Sequence, residues 1–151
     1  MNAEQKLVIK RRFPAPRDRV FAMWTTEDLL KRWFCPGATM SVSVAEVDAR
    51  EGGAYRIVMQ DSDGKTYSPS GRYERVVPNE QLVFSWKWAD SELVTRVTLD
   101  FRVVGDAETE LTLTHEGFPD AELRDRHDEG WNGCLSRLDE AIGQTHEEEM
   151  Q

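Results

Sequence analysis

The sequence is poor in cysteine, in basic charge and in long apolar runs, and each shortage excludes a class of protein. Cysteine occurs twice in 151 residues, as Cys35 and Cys134 in segments of different type. That excludes a disulfide scaffold and predicts free thiols in a reducing compartment. Lys plus Arg number 19 against 28 Asp plus Glu, a net charge of −9, and a field of that sign repels nucleic acid and anionic lipid alike. The first thirteen residues hold one short apolar run, Leu7-Val8-Ile9, broken at once by Lys10-Arg11-Arg12. This is neither a signal peptide nor a membrane span, so a cytoplasmic location without membrane insertion is expected. The chain also lacks a Gly-x-Ser-x-Gly elbow, a His-Glu-x-x-His pair, a Cys-x-x-Cys pair, a phosphate loop and a dinucleotide fingerprint; no cofactor is expected. Asp61-Ser62-Asp63-Gly64 has the flavour of a calcium loop, but its glycine arrives two positions early and the final acidic ligand is missing, which leaves a hairpin turn.

What is present is one domain's worth of patterned sequence, read as residues 1–146, followed by an acidic tail at 147–151 that carries Glu147, Glu148 and Glu149. Leu7, Ile9 and Phe13 share one parity and predict a first strand ended by Pro14 and Pro16. Val20, Phe21 and Trp24 then fall on one face of a short helix, and a second opens at Thr25-Thr26 with Glu27 and Asp28 in its first turn. From residue 39 to 116 the period becomes two, predicting strands near 39–48, 53–60, 66–77, 81–88, 93–104 and 108–116. The turns between them are short, so neighbours run antiparallel. Pro69 cannot donate to a ladder and, with Gly71 beside it, predicts a bulge or a sheet edge.

Last comes a helical stripe of Leu123, His127, Gly130 or Trp131, Cys134, Leu138, Ala141 and Ile142, capped by Asp120. A helix that long with one apolar face has to lie across the sheet. Seven twisted strands curling round it leave a space that fills only if the facing side chains are large. Gly130 and Gly133 stand there instead, and predict either close backbone approach or room left open.

The segments Ala15-Pro16 to Val20-Phe21, Trp24-Thr25, Leu29 to Phe34 followed by Pro36, and Asp48 to Gly53 resemble a known family. So do Leu82 to Trp86, Thr114 to Gly117, and His127 with Gly130-Trp131 leading into Leu135 and Leu138. The chain is similar to the START-like (SRPBCC) superfamily, and within it to the family homologous to the C-terminal domain of the activator of heat-shock protein 90 ATPase. The resemblance implies an α+β helix-grip fold: a seven-stranded, curved antiparallel sheet gripping a long C-terminal helix, with two short helices after the first strand. It implies an apolar cavity between sheet and helix, but no single activity. Relatives usually carry Gly where this chain has Cys35, so the role of that thiol at the cavity mouth stays open.

Five Trp, three Tyr and six Phe supply either an ordinary core or the wall of a pocket. Trp33, Phe34 and Trp131 are assigned to the mouth. Tyr55, Ile57, Met59, Tyr73, Trp86, Trp88, Phe101, Cys134 and Leu138 are assigned to the wall. His115 and His127 lie on the apolar parity of their own elements, either as satisfied core histidines or as ligand-orienting and proton-moving groups. Asp48, with Arg50 and Glu46, is either an acid–base group or an ion pair fixing the Gly52-Gly53 turn. A metal site lacks a third ligand.

Three readings follow. The first is a protein holding a hydrophobic or aromatic small molecule, oriented by Tyr55, His115 and His127. The second is an enzyme of cyclase, dehydratase or hydrolase type using His115, His127 or Asp48 as proton carriers. The third, suggested only by the resembling family's name, is a co-chaperone-like module with a chaperone partner. A homodimer built on exposed sheet edges stays open as well.

Overall fold

The computed structural model describes residues 5–37 and 39–150, the side chains of 144–150 excepted. The tail read at 147–151 therefore lies outside the residues described with side chains. Strand β1 (Leu7–Phe13) leads into helices α1 (Arg17–Thr25) and α2 (Glu27–Leu30). Strands β2 (Ser41–Val47), β3 (Ala54–Gln60), β4 (Thr66–Tyr67), β5 (Pro69–Val77), β6 (Gln81–Trp88), β7 (Thr95–Gly105) and β8 (Glu108–Glu116) follow, and α3 (Ala121–Met150) ends the chain.

The sheet is antiparallel, with the order β1-β8-β7-β6-β5-β3-β2 and the two-residue β4 paired to β3. The meander is as the short turns require. The first strand closes it by pairing with the last, Leu7 opposite His115 and Phe13 opposite Thr109. Its two edges are therefore β1 and β2, neighbours in sequence, and α1 and α2 make the crossing between them. The curved sheet and the long helix form an α+β helix-grip domain.

Period two sorts the faces. Val97, Leu99 and Phe101 of β7 and Leu111, Leu113 and His115 of β8 are buried, while Arg96, Asp100 and Arg102 between them are exposed. Arg11 shares the inner parity of β1 but stands at the sheet edge, where its Nη1 donates to Ser136 Oγ of α3 at 3.2 Å. Asp120 caps α3, its carboxylate accepting from the Leu123 N–H at 2.9 Å.

Two expectations about local structure need correcting. The strand read at 66–77 breaks at Ser68, just before Pro69, which has no N–H to donate to a ladder. The bulge in this strand lies further on, between Tyr73 and Arg75. Thr26 occupies the N-cap position of α2, yet its side chain makes no capping bond. The Asp61 turn is a hairpin: Asp61 Oδ1 accepts from the backbone of Asp63 and Lys65, and Gly64 takes the positive φ of 87° that the turn needs.

Candidate functional site

Between the first half of α3 and the sheet lies a cavity of about 360 Å³, large enough for a small organic molecule. Met59, Tyr67, Trp86 and Trp88 reach it from β3, β4 and β6, and Phe34 and Pro36 from the loop after α2. Helical spacing brings Leu123, Arg126, His127, Gly130, Trp131 and Cys134 together on the opposite side. The two helix glycines explain the opening. A methyl group on Gly133 would overlap the Pro36 carbonyl oxygen, so α3 presses backbone to backbone there. A methyl group on Gly130 would meet nothing within 4 Å. One glycine seats the helix on the loop, and the other leaves the space beside it empty.

Both histidines of this region are held by tryptophans. The Trp131 Nε1–H donates to His115 Nδ1 at 3.0 Å, so the His115 proton sits on Nε2 and points to Thr95 Oγ1 at 2.7 Å. Thr95 passes the chain on to the Trp86 carbonyl at 3.3 Å. His115 is fully buried, and burial, helped by nearby His127, holds its pKa well below the ordinary value. The Trp88 Nε1–H donates to His127 Nε2 at 3.0 Å, and the His127 Nδ1–H donates to the Leu123 carbonyl at 2.9 Å. Burial lowers the pKa of His127 too, opposed in part by that carbonyl. The two rings stand 5.1 Å apart, edge to face. Each imidazole is neutral, and each lone pair already accepts an indole proton.

Of the residues singled out from the sequence, Phe34, Met59, Trp86, Trp88, His127, Trp131 and Cys134 line the cavity. The others lie elsewhere. Trp33, read as part of the mouth, is fully buried: its Nε1–H donates to the Met23 carbonyl at 3.0 Å and its ring meets Trp24 at 4.6 Å. Tyr55, Ile57 and Tyr73 border a separate void of about 20 Å³. The Tyr55 hydroxyl is committed to the Ser85 carbonyl at 2.6 Å and has no proton to offer a ligand. Burial raises the pKa of both tyrosines. Phe101 packs on Phe21 of α1, and Leu138 is buried in the core. His115 stands behind Trp131 rather than on the cavity surface.

Asp48 is not a lining residue either; both its oxygens accept from Arg50 Nε at 2.9–3.0 Å, in the open. Cys35 is buried beside the Met40 carbonyl, and burial raises the pKa of both thiols. Among the described residues, no three of His, Cys, Asp and Glu gather where they could hold a metal ion. Tyr67 and Arg126 line the cavity without having been singled out. The signal for Arg126 was present, since it stands four residues before Gly130 and so beside it on the helix.

The chain matches the family of Activator of Hsp90 ATPase homolog 1-like proteins over residues 14–143. Similar solved structures include protein NE0264 of Nitrosomonas europaea, 27% identical with a TM-score of 0.81, covering 96% of this chain and 98% of that one. The AHSA1 (SPO3351) protein of Silicibacter pomeroyi is 26% identical with a TM-score of 0.83, covering 93% and 99%. CalU16 of Micromonospora echinospora is 26% identical with a TM-score of 0.71, covering 91% and 75%. No curated protein matches the sequence. Family match and fold agree along almost the whole length, and this chain belongs to the Activator of Hsp90 ATPase homolog 1-like family, within the START-like superfamily.

Proposed function

We propose that this protein binds an apolar or aromatic small molecule between α3 and the sheet. The observation that carries the reading is the 360 Å³ cavity itself, walled by indole and phenyl rings and kept open by the missing side chain of Gly130. Rigid rings hold an apolar guest at little entropic cost, and the walls are fixed before it arrives, since Trp88 and Trp131 are each tied to a histidine.

Acid–base catalysis by the same histidines finds no support in the geometry. A general base needs a lone pair within reach of the substrate, and both lone pairs are occupied by tryptophan. The chaperone reading has only the family's name behind it. The free, buried thiols Cys35 and Cys134 fit a reducing cytoplasm; among the described residues no helix is long and apolar enough to cross a membrane.

The test is Gly130→Leu, which places a side chain in the cavity, beside Gly143→Leu, the same change at an exposed site on the same helix. A neutral fluorescent naphthalene probe should bind the wild type and Gly143→Leu at one saturable site, and Gly130→Leu at least tenfold more weakly. Equal binding by all three would remove the cavity from consideration.

A further inference from the structure

The side chains of the cavity wall are unequal in what they can still bond. His127 has given up both ring nitrogens, one to Trp88 and one to the Leu123 carbonyl. The Trp131 N–H is spent on His115. Cys134 is a neutral thiol, weak as donor and as acceptor. Tyr67 contributes the one side-chain oxygen among the described lining residues and turns its proton to Asp61 at 3.4 Å.

Among the described lining residues the Tyr67 oxygen can still accept, and two groups keep unused protons and can only donate. Trp86 is 4% exposed, borders both the cavity and the small void behind it, and its buried Nε1–H has no partner among the described residues. Arg126 stands at the mouth with its side chain 71% exposed. Its Nη2 donates to Glu122 Oε1 at 2.9 Å, which leaves most of the guanidinium protons free. Glu122 does not line the cavity, and among the described residues no lining residue carries a carboxylate. Asp61 is engaged by Tyr67 and by the backbone of its own turn.

We infer that the cavity selects apolar organic acids over neutral and cationic molecules of the same shape, with the carboxylate held at the Arg126 end. An acid supplies acceptor atoms for the free Arg126 protons, its charge is opposite to that of the one ionised residue among the described lining residues, and its flat body occupies the space between the rings. An ammonium group would face a guanidinium and find no anion among the described lining residues.

The inference rests on the cavity being a ligand site, and the experiment separates the two claims. Three probes share one body: 2-naphthoate, 2-naphthylmethanol and 2-naphthylmethylammonium, each titrated into the full chain at pH 8 and followed by calorimetry. The acid should bind at least tenfold tighter than the alcohol, and the amine most weakly. Arg126→Gln should bring the acid down to the level of the alcohol while leaving the alcohol within twofold. Added salt should narrow the gap between acid and alcohol, because the mouth is exposed and its charge is screened. If the alcohol binds and the acid is not preferred, or if Arg126→Gln leaves their ratio unchanged, the selectivity is overturned and the cavity reading survives. If none of the three binds, both fall.

Discussion

The interior has two aromatic ends, and they differ in whether the covering backbone lets them close. Under α1 and α2, Trp24, Trp33, Phe34, Tyr55, Tyr73 and Phe84 interlock at ring spacings of 4.6–6.1 Å and leave only about 20 Å³. Under the first half of α3, Phe34, Trp86, Trp88 and Trp131 are as closely clustered, yet about 360 Å³ stays open. The number of rings therefore does not decide whether a cavity forms. The backbone opposite them does, and here it is one helix whose glycines, three residues apart, act in opposite senses.

The largest effect should come from the sealed side of the network. His115→Leu removes the acceptor of a buried Trp131 N–H and the partner of Thr95, and stranding such groups costs about 3 kcal/mol. His127→Leu strands the Trp88 N–H in a half-buried place that water can reach, so about 1 kcal/mol is expected. Urea denaturation of the pair measures the contrast. Equal losses would mean that the two histidines do not stand on different sides of a water boundary.

Gly133→Ala comes next. Its methyl group meets the Pro36 backbone, which cannot turn aside as a flexible side chain would. Overpacking of this kind outweighs the helix propensity gained, for a net loss of about 2 kcal/mol. A variant as stable as the wild type would show that α3 does not rest on the loop.

These contrasts also mark how far the sequence could be read. Alternation on β7 and β8 was legible because one sheet face is wet and the other covered, and the α3 cap because Asp120 is a residue type that caps. Depth was not legible. Period assigns Trp33 to a face, but whether a ring on that face reaches a mouth or tucks beneath α1 depends on how α1 and α2 cross. The pairing of Trp131 with His115 and of Trp88 with His127 joins residues 16 and 39 positions apart, and no local pattern encodes which indole meets which imidazole. Gly130 and Gly133 look alike in the sequence; only the position of Pro36 tells them apart.

Acid should weaken the fold through the same two histidines. In the unfolded chain both take up protons near pH 6.5, whereas folding holds both pKa values lower. Below about pH 6.5 the unfolded chain therefore binds more protons than the folded one. Stability is fully present above that pH and falls as pH drops, until the folded imidazoles themselves become protonated. The slope cannot exceed about 1.4 kcal/mol per pH unit for each histidine, and His127, closer to solvent, should give the smaller share. Urea midpoints from pH 8 to pH 5 should decline in the wild type and less steeply in His127→Leu. A flat profile would mean that the histidines are not held neutral by burial.

The smallest effect is the mirror image of Gly133→Ala. Gly130→Ala adds a methyl group to the same helix with nothing within 4 Å to resist it. Alanine relieves the backbone entropy that glycine loses in a helix, so a gain of about 0.5–1 kcal/mol is expected. A methyl group takes up little of 360 Å³, and binding of the neutral naphthalene probe should fall by less than threefold. The two alanine variants then move stability in opposite directions on one helix. If Gly130→Ala proved as damaging as Gly133→Ala, the helix would be rejecting side chains generally, and the open space beside Gly130 would not be what distinguishes the two ends of the interior.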